Sequence, residues 1–115
     1  MRRIVLALVL AGSCAAPAHA ADPARLLVEA REFNFTLSRA SIPRGPAIIQ
    51  LANRGEDPHD LRITRIGGRR RAAITKVLPG ELGEWDGRLR RGRYRLVCTL
   101  EGHRALGMRA TLRAR

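Results

Sequence analysis

The chain has 115 residues, with 22 basic and 10 acidic side chains and only 3% aromatic residues. That length holds one domain with one modest core. A formal charge of +12 makes nucleic acid the first partner to consider, but rings to stack on bases are too scarce for that reading. The charge favours acidic protein partners or anionic membrane surfaces, reached by electrostatic steering.

At the N-terminus, Arg2-Arg3 form a positive region, Ile4 to Ala11 an apolar run, and Ala18-His19-Ala20 a small-residue cleavage site. The run is shorter than the ~20 residues that span a bilayer. The expected organisation is a cleaved signal peptide over 1–20 and one domain over 21–115, exported to the periplasm. Cys14 as a lipid anchor is the alternative; Ala11-Gly12-Ser13 lacks the Leu usual three places upstream of a lipidated cysteine. Cleavage leaves about 20 basic residues against 10 acidic, a net charge of about +10. Lys76 is the single lysine, so composition bias is the alternative to an arginine surface with a role.

Beyond the leader, short alternating segments are separated by turn signals at Pro43-Arg44-Gly45-Pro46, Asn53-Arg54-Gly55, Gly67-Gly68, Pro79-Gly80, Asp86-Gly87 and Arg91-Gly92. Helical periodicity is absent. The pattern predicts a small all-β sandwich or barrel. Leu26, Val28 and Ala30 share one parity and Phe33, Phe35 and Leu37 the other, which predicts a bulge near Arg31-Glu32. Ala47, Ile49 and Leu51 form the next core-facing set. His59, Leu61 and Ile63 share a face opposite Asp60, Arg62 and Thr64. Arg69 to Leu78 reads equally as strand, loop or helical turn.

The last two segments carry the chemistry. Tyr94, Leu96, Cys98 and Leu100 alternate with Arg93, Arg95 and Thr99, which turns Cys98 inward. Met108, Ala110, Leu112 and Ala114 alternate with arginines and Thr111, and His103 lies in the loop between the two strands. Outside the leader there are two histidines, one cysteine and one methionine. Cys98 therefore has no internal disulfide partner in an oxidising compartment, where a free thiol is a liability. Each residue has a plainer role by itself: Cys98 an inert small hydrophobe, Met108 a core filler, His59 and His103 turn histidines. Together, His59, Cys98, His103 and Met108 are the His2Cys-plus-Met set of a blue-copper site, acceptable to both Cu(I) and Cu(II).

The stretch from Tyr94 through Cys98, His103 and Met108, followed by an alternating terminal strand, resembles the end of a cupredoxin. Leu51-Ala-Asn53-Arg-Gly55-Glu-Asp-Pro-His59 resembles that family's Asn-x-Gly…His segment. The spacing is closest to rusticyanin-like and sulfocyanin-like members. The resemblance implies an all-β, single-domain Greek-key sandwich holding one type 1 copper ion, with His59, Cys98 and His103 as strong equatorial ligands and Met108 as the axial one. It also implies a monomeric one-electron carrier that docks a cytochrome, oxidase or dehydrogenase around the loop histidine. Asp60 stands where the family often has Asn, with a role in tying the ligand loop to its neighbouring strand. A periplasmic copper chaperone or copper-tolerance protein on the same fold is the alternative. An enzyme is not expected, because both histidines are already committed and none remains for a second metal centre.

Overall fold

The computed structural model describes residues 11–18 and 20–115. The leader expected over 1–20 falls largely outside the described residues, and 11–18 and 20 carry no helix or strand. Nine strands follow. They are β1 (Ala24–Arg31), β2 (Asn34–Leu37), β3 (Ser41–Ile42), β4 (Gly45–Asn53), β5 (His59–Arg65), β6 (Arg71–Val77), β7 (Leu82–Leu89), β8 (Gly92–Val97) and β9 (Arg109–Ala114). A single helical turn, α1 (His103–Leu106), interrupts the last connection.

The strands make two sheets, ordered β2-β1-β4-β7 and β3-β9-β8-β5-β6. The pairs β1–β4 and β3–β9 are parallel and the rest antiparallel, so both sheets are mixed. The expected all-β sandwich is what the chain forms. Its core is the set of inward positions from both sheets: Leu26, Val28, Ile49 and Leu51 facing Leu61, Ile63, Leu96 and Leu112, all essentially without solvent contact. Burying each such side chain contributes about 1.5–3 kcal/mol.

Two local expectations differ from the structure. Arg31-Glu32 is no bulge: the chain reverses there, and β1 pairs antiparallel with β2 from Val28↔Leu37 to Arg31↔Asn34. Asp86-Gly87 is no turn: both residues lie inside β7, with Asp86 opposite Ile48. Gly87 sits under the Trp85 ring, where a Cβ would collide with the indole. The ambiguous segment resolves as β6, an edge strand paired to β5.

Topology brings the chemistry to one end. β1 and β4 run parallel, with Ala30 opposite Asn53, so both finish together. β5 runs antiparallel to β8, which places the start of β5 beside the end of β8 and the start of β9. His59, Cys98 and Met108 occupy those ends. At the other end, the Tyr94 hydroxyl accepts from Arg90 N–H at 2.8 Å and donates to Arg90 C=O at 2.9 Å, locking the turn into β8.

Candidate metal centre

His59 opens β5 with its side chain fully buried. Asn53 fixes the loop that delivers it. Its Nδ2 donates to Asp57 C=O at 2.7 Å and to Val77 C=O at 2.9 Å, and its Oδ1 accepts from Gly55 N–H at 2.9 Å. A buried Asn with all three groups used converts the connection over 54–58 into a fixed shape.

Cys98 follows β8 and is fully buried. Its N–H donates to Met108 C=O at 3.0 Å, extending the β8–β9 ladder by one step and setting Met108, also fully buried, beside it. His103 begins α1. Gly107 closes that turn at φ 128°, a conformation L side chains rarely adopt. A Cβ there would lie 2.8 Å from Phe33 C=O, so the loop packs tightly on the β1–β2 turn. Phe33 meets the His103 ring edge to face, centroids 5.1 Å apart at 67°.

One donor atom each from His59, Cys98 and His103 lie within 4.8 Å of one another. His103 Nδ1 is 3.6 Å from Cys98 Sγ, and the two imidazole centroids are 5.2 Å apart. Met108 joins the cluster. The structure thus brings together all four residues singled out in the sequence. His59 Nε2 donates to Glu32 Oε1 at 3.0 Å, which leaves Nδ1 as the bare lone pair. That Nδ1 is buried and has no hydrogen-bond partner. An unsatisfied buried acceptor costs about 1–3 kcal/mol, and a cation among these donors would satisfy it. Two metal–donor bonds of about 2.0–2.3 Å end to end reach about 4–4.6 Å, so the trio fits one ion with little movement. Thiolate, imidazole and thioether together suit copper, and zinc seldom takes Met.

Electrostatics agrees. Burial pushes the Cys98 thiol up, opposed by the N–H groups of Asp60 and Leu100 directed at its sulfur. A cation is the partner such a site needs to hold a thiolate. Asp60 accepts from Thr99 N–H at 2.6 Å and from the Thr99 hydroxyl, tying the residue after His59 to the residue after Cys98. The role expected of Asp60 is thus filled by a carboxylate.

Glu32 was not among the residues singled out. It also accepts from Glu56 N–H at 2.9 Å and Asp57 N–H at 2.7 Å. The N–H groups of Asp57 and then Glu56 hold its carboxyl at about 2, with His59 adding less.

No protein-family model matches this sequence, and neither does any curated protein. Solved structures do. Reduced auracyanin from the photosynthetic bacterium Roseiflexus castenholzii superposes with TM-score 0.66 at 16% identity, over 79% of this chain and 96% of that one. Auracyanin A, a "blue" copper protein from Chloroflexus aurantiacus, gives 0.66 at 15%, over 82% and 100%. Reduced rusticyanin gives 0.63 at 20%, over 84% and 82%. The fold is that of the cupredoxins. Within the cupredoxin fold, the His59, Cys98, His103 and Met108 cluster lies at the strand ends beneath the connection from Leu100 to Gly107.

Proposed function

We propose that this chain is an exported blue-copper protein that carries one electron at a time, with His59, Cys98, His103 and Met108 holding a single type 1 copper. The observation that carries the reading is the converging trio of donors, His59 and Cys98 buried and His103 partly so, with the unpartnered His59 Nδ1 among them. Bound there, copper would supply the Cu(I)/Cu(II) couple. The residues supply the rest. Asn53, Asp60 and the Cys98–Met108 ladder fix the donors on the rigid sandwich, which keeps the geometric change between oxidation states small. Apolar burial of Cys98 and Met108 excludes water and oxidants.

His59 is sealed, whereas the His103 side chain remains 14% exposed. Its outer edge is the natural exit for an electron. Leu106 stands exposed beside it, and Arg62, Arg104 and Arg109 line a shallow depression over Cys98. A redox protein presenting a small apolar contact ringed by acidic groups fits that face. At the far end, Arg65, Arg69, Arg70, Arg71 and Arg88 line a cleft together with Trp85, which supports association with anionic membrane surfaces. Burial of both Cys98 and His59 favours retention of copper over exchange with a partner, hence a carrier over a chaperone.

Copper-loaded protein should show an intense visible band from thiolate-to-Cu(II) charge transfer and a reversible one-electron wave in voltammetry. Cys98→Ser should abolish the band. Colour that survives in Cys98→Ser would overturn the assignment, and prompt loss of copper to a Cu(I) chelator would overturn the carrier reading.

A further inference from the structure

The unassigned group at the centre is Glu32. It projects from the β1–β2 turn, 27 positions from His59 in sequence, and its carboxylate reaches His59 Nε2 at 3.0 Å. Two backbone N–H groups of the His59 loop, from Glu56 and Asp57, converge on the same carboxylate. Gly55 makes the room: a Cβ there would occupy the space of the Glu32 carboxylate. Three N–H donors therefore clamp the carboxylate and favour its anionic form.

We infer that Glu32 is a positioning residue that holds His59 as its Nε2–H tautomer, with Nδ1 aimed at the metal, and that its fixed negative charge favours Cu(II) over Cu(I). This rests on the copper reading above. An imidazole that donates to a carboxylate is fixed in orientation and is a more basic ligand. A more basic ligand, and a nearby negative charge, both stabilise the more positive oxidation state. Glu32 thus lowers the reduction potential that the buried, apolar set around Cys98 and Met108 raises. A neutral acceptor in the same place would orient the ring without this bias. Loss of such an outer partner typically costs 10–100-fold in metal affinity.

The test uses the full domain with Glu32→Gln, which keeps an acceptor oxygen and removes the charge, and Glu32→Ala, which removes both. Gly55→Ala is a third variant that dislodges the carboxylate while leaving Glu32 in place. Voltammetry should show a higher potential in all three. The expected shift is at least a tenfold fall in the Cu(II):Cu(I) affinity ratio, about 59 mV for a one-electron couple. Nitrogen-15 NMR of the metal-free protein should show His59 as one Nε2–H tautomer in the wild type and a mixture in Glu32→Ala. Wild-type potential in coloured Glu32→Gln and Gly55→Ala proteins would overturn the charge effect. A single unchanged tautomer in Glu32→Ala would overturn the positioning role. A wild-type protein that takes up no copper would instead sink the copper reading, and the charge effect with it.

Discussion

Asn53→Ala is the perturbation that best exposes how the fold builds its site. The substitution removes three hydrogen bonds: Nδ2 to Asp57 C=O, Nδ2 to Val77 C=O, and Gly55 N–H to Oδ1. Asp57 and Gly55 lie in a partly exposed loop where water can replace the lost partner. Val77 is buried in the core and its carbonyl loses its side-chain donor. At about 1 kcal/mol for each bond, with an added penalty for the stranded buried carbonyl, the cost is about 3–4 kcal/mol. Against a total stability of about 5–15 kcal/mol, that is a large fraction. It should lower Tm by roughly 10–30 °C for a domain of this size. Urea unfolding of the metal-free protein, followed by far-ultraviolet circular dichroism, reads the change at unaltered m-value. Asn53→Asp retains the acceptor but turns a carboxylate towards two carbonyls, and should be no more stable than Asn53→Ala. Gln50→Ala, which removes one exposed bond to Glu84, is the control and should cost less than about 0.5 kcal/mol. A cost below about 1 kcal/mol for Asn53→Ala would refute the view that this side chain holds the His59 loop.

Other consequences are testable on the same preparation. Glu32 titrates at about 2 in the fold against an ordinary 4.5, so its contribution is fully present above about 4.5 and is lost as pH falls towards 2. The urea midpoint of the metal-free wild type should therefore fall between those pH values relative to Glu32→Gln, and parallel acid profiles would contradict this. Cys98 is buried with its thiol pushed up, so iodoacetamide should leave it unmodified in the native metal-free protein and alkylate it fully in urea. Vesicles containing phosphatidylglycerol should retain the protein at low salt and release it by about 0.5 M salt, as screening of exposed arginines demands. Triple replacement of Arg69, Arg70 and Arg71 with Ser should weaken that binding, and retention unaffected by salt would argue against the arginine cleft.

Much of this was legible in the sequence because side chains on a strand alternate with period two. The parity of His59 with Leu61 and Ile63, and of Cys98 with Leu96, forecast their burial on the core side. What escaped did so for physical reasons. A parity switch between Ala30 and Phe33 looks the same whether the strand bulges or reverses, and here it reverses into the β1–β2 hairpin. Asp86-Gly87 carries turn chemistry, yet its glycine is there to admit the Trp85 ring. One helical turn at His103–Leu106 is too short to show a period. Glu32 left no signal at all, since a lone acid at a strand end resembles any solvated residue. Its meaning comes from a contact made only when the β1–β2 turn and the His59 loop meet at one end of the sandwich.

The most direct test of the central claim is the visible and electron-paramagnetic-resonance spectrum of the copper-loaded domain over 21–115. Thiolate bonding by Cys98 predicts strong colour and a narrow copper hyperfine splitting, because covalency moves unpaired spin from copper onto sulfur. A colourless protein, or a wide splitting from copper bound only by nitrogen and oxygen, would contradict it.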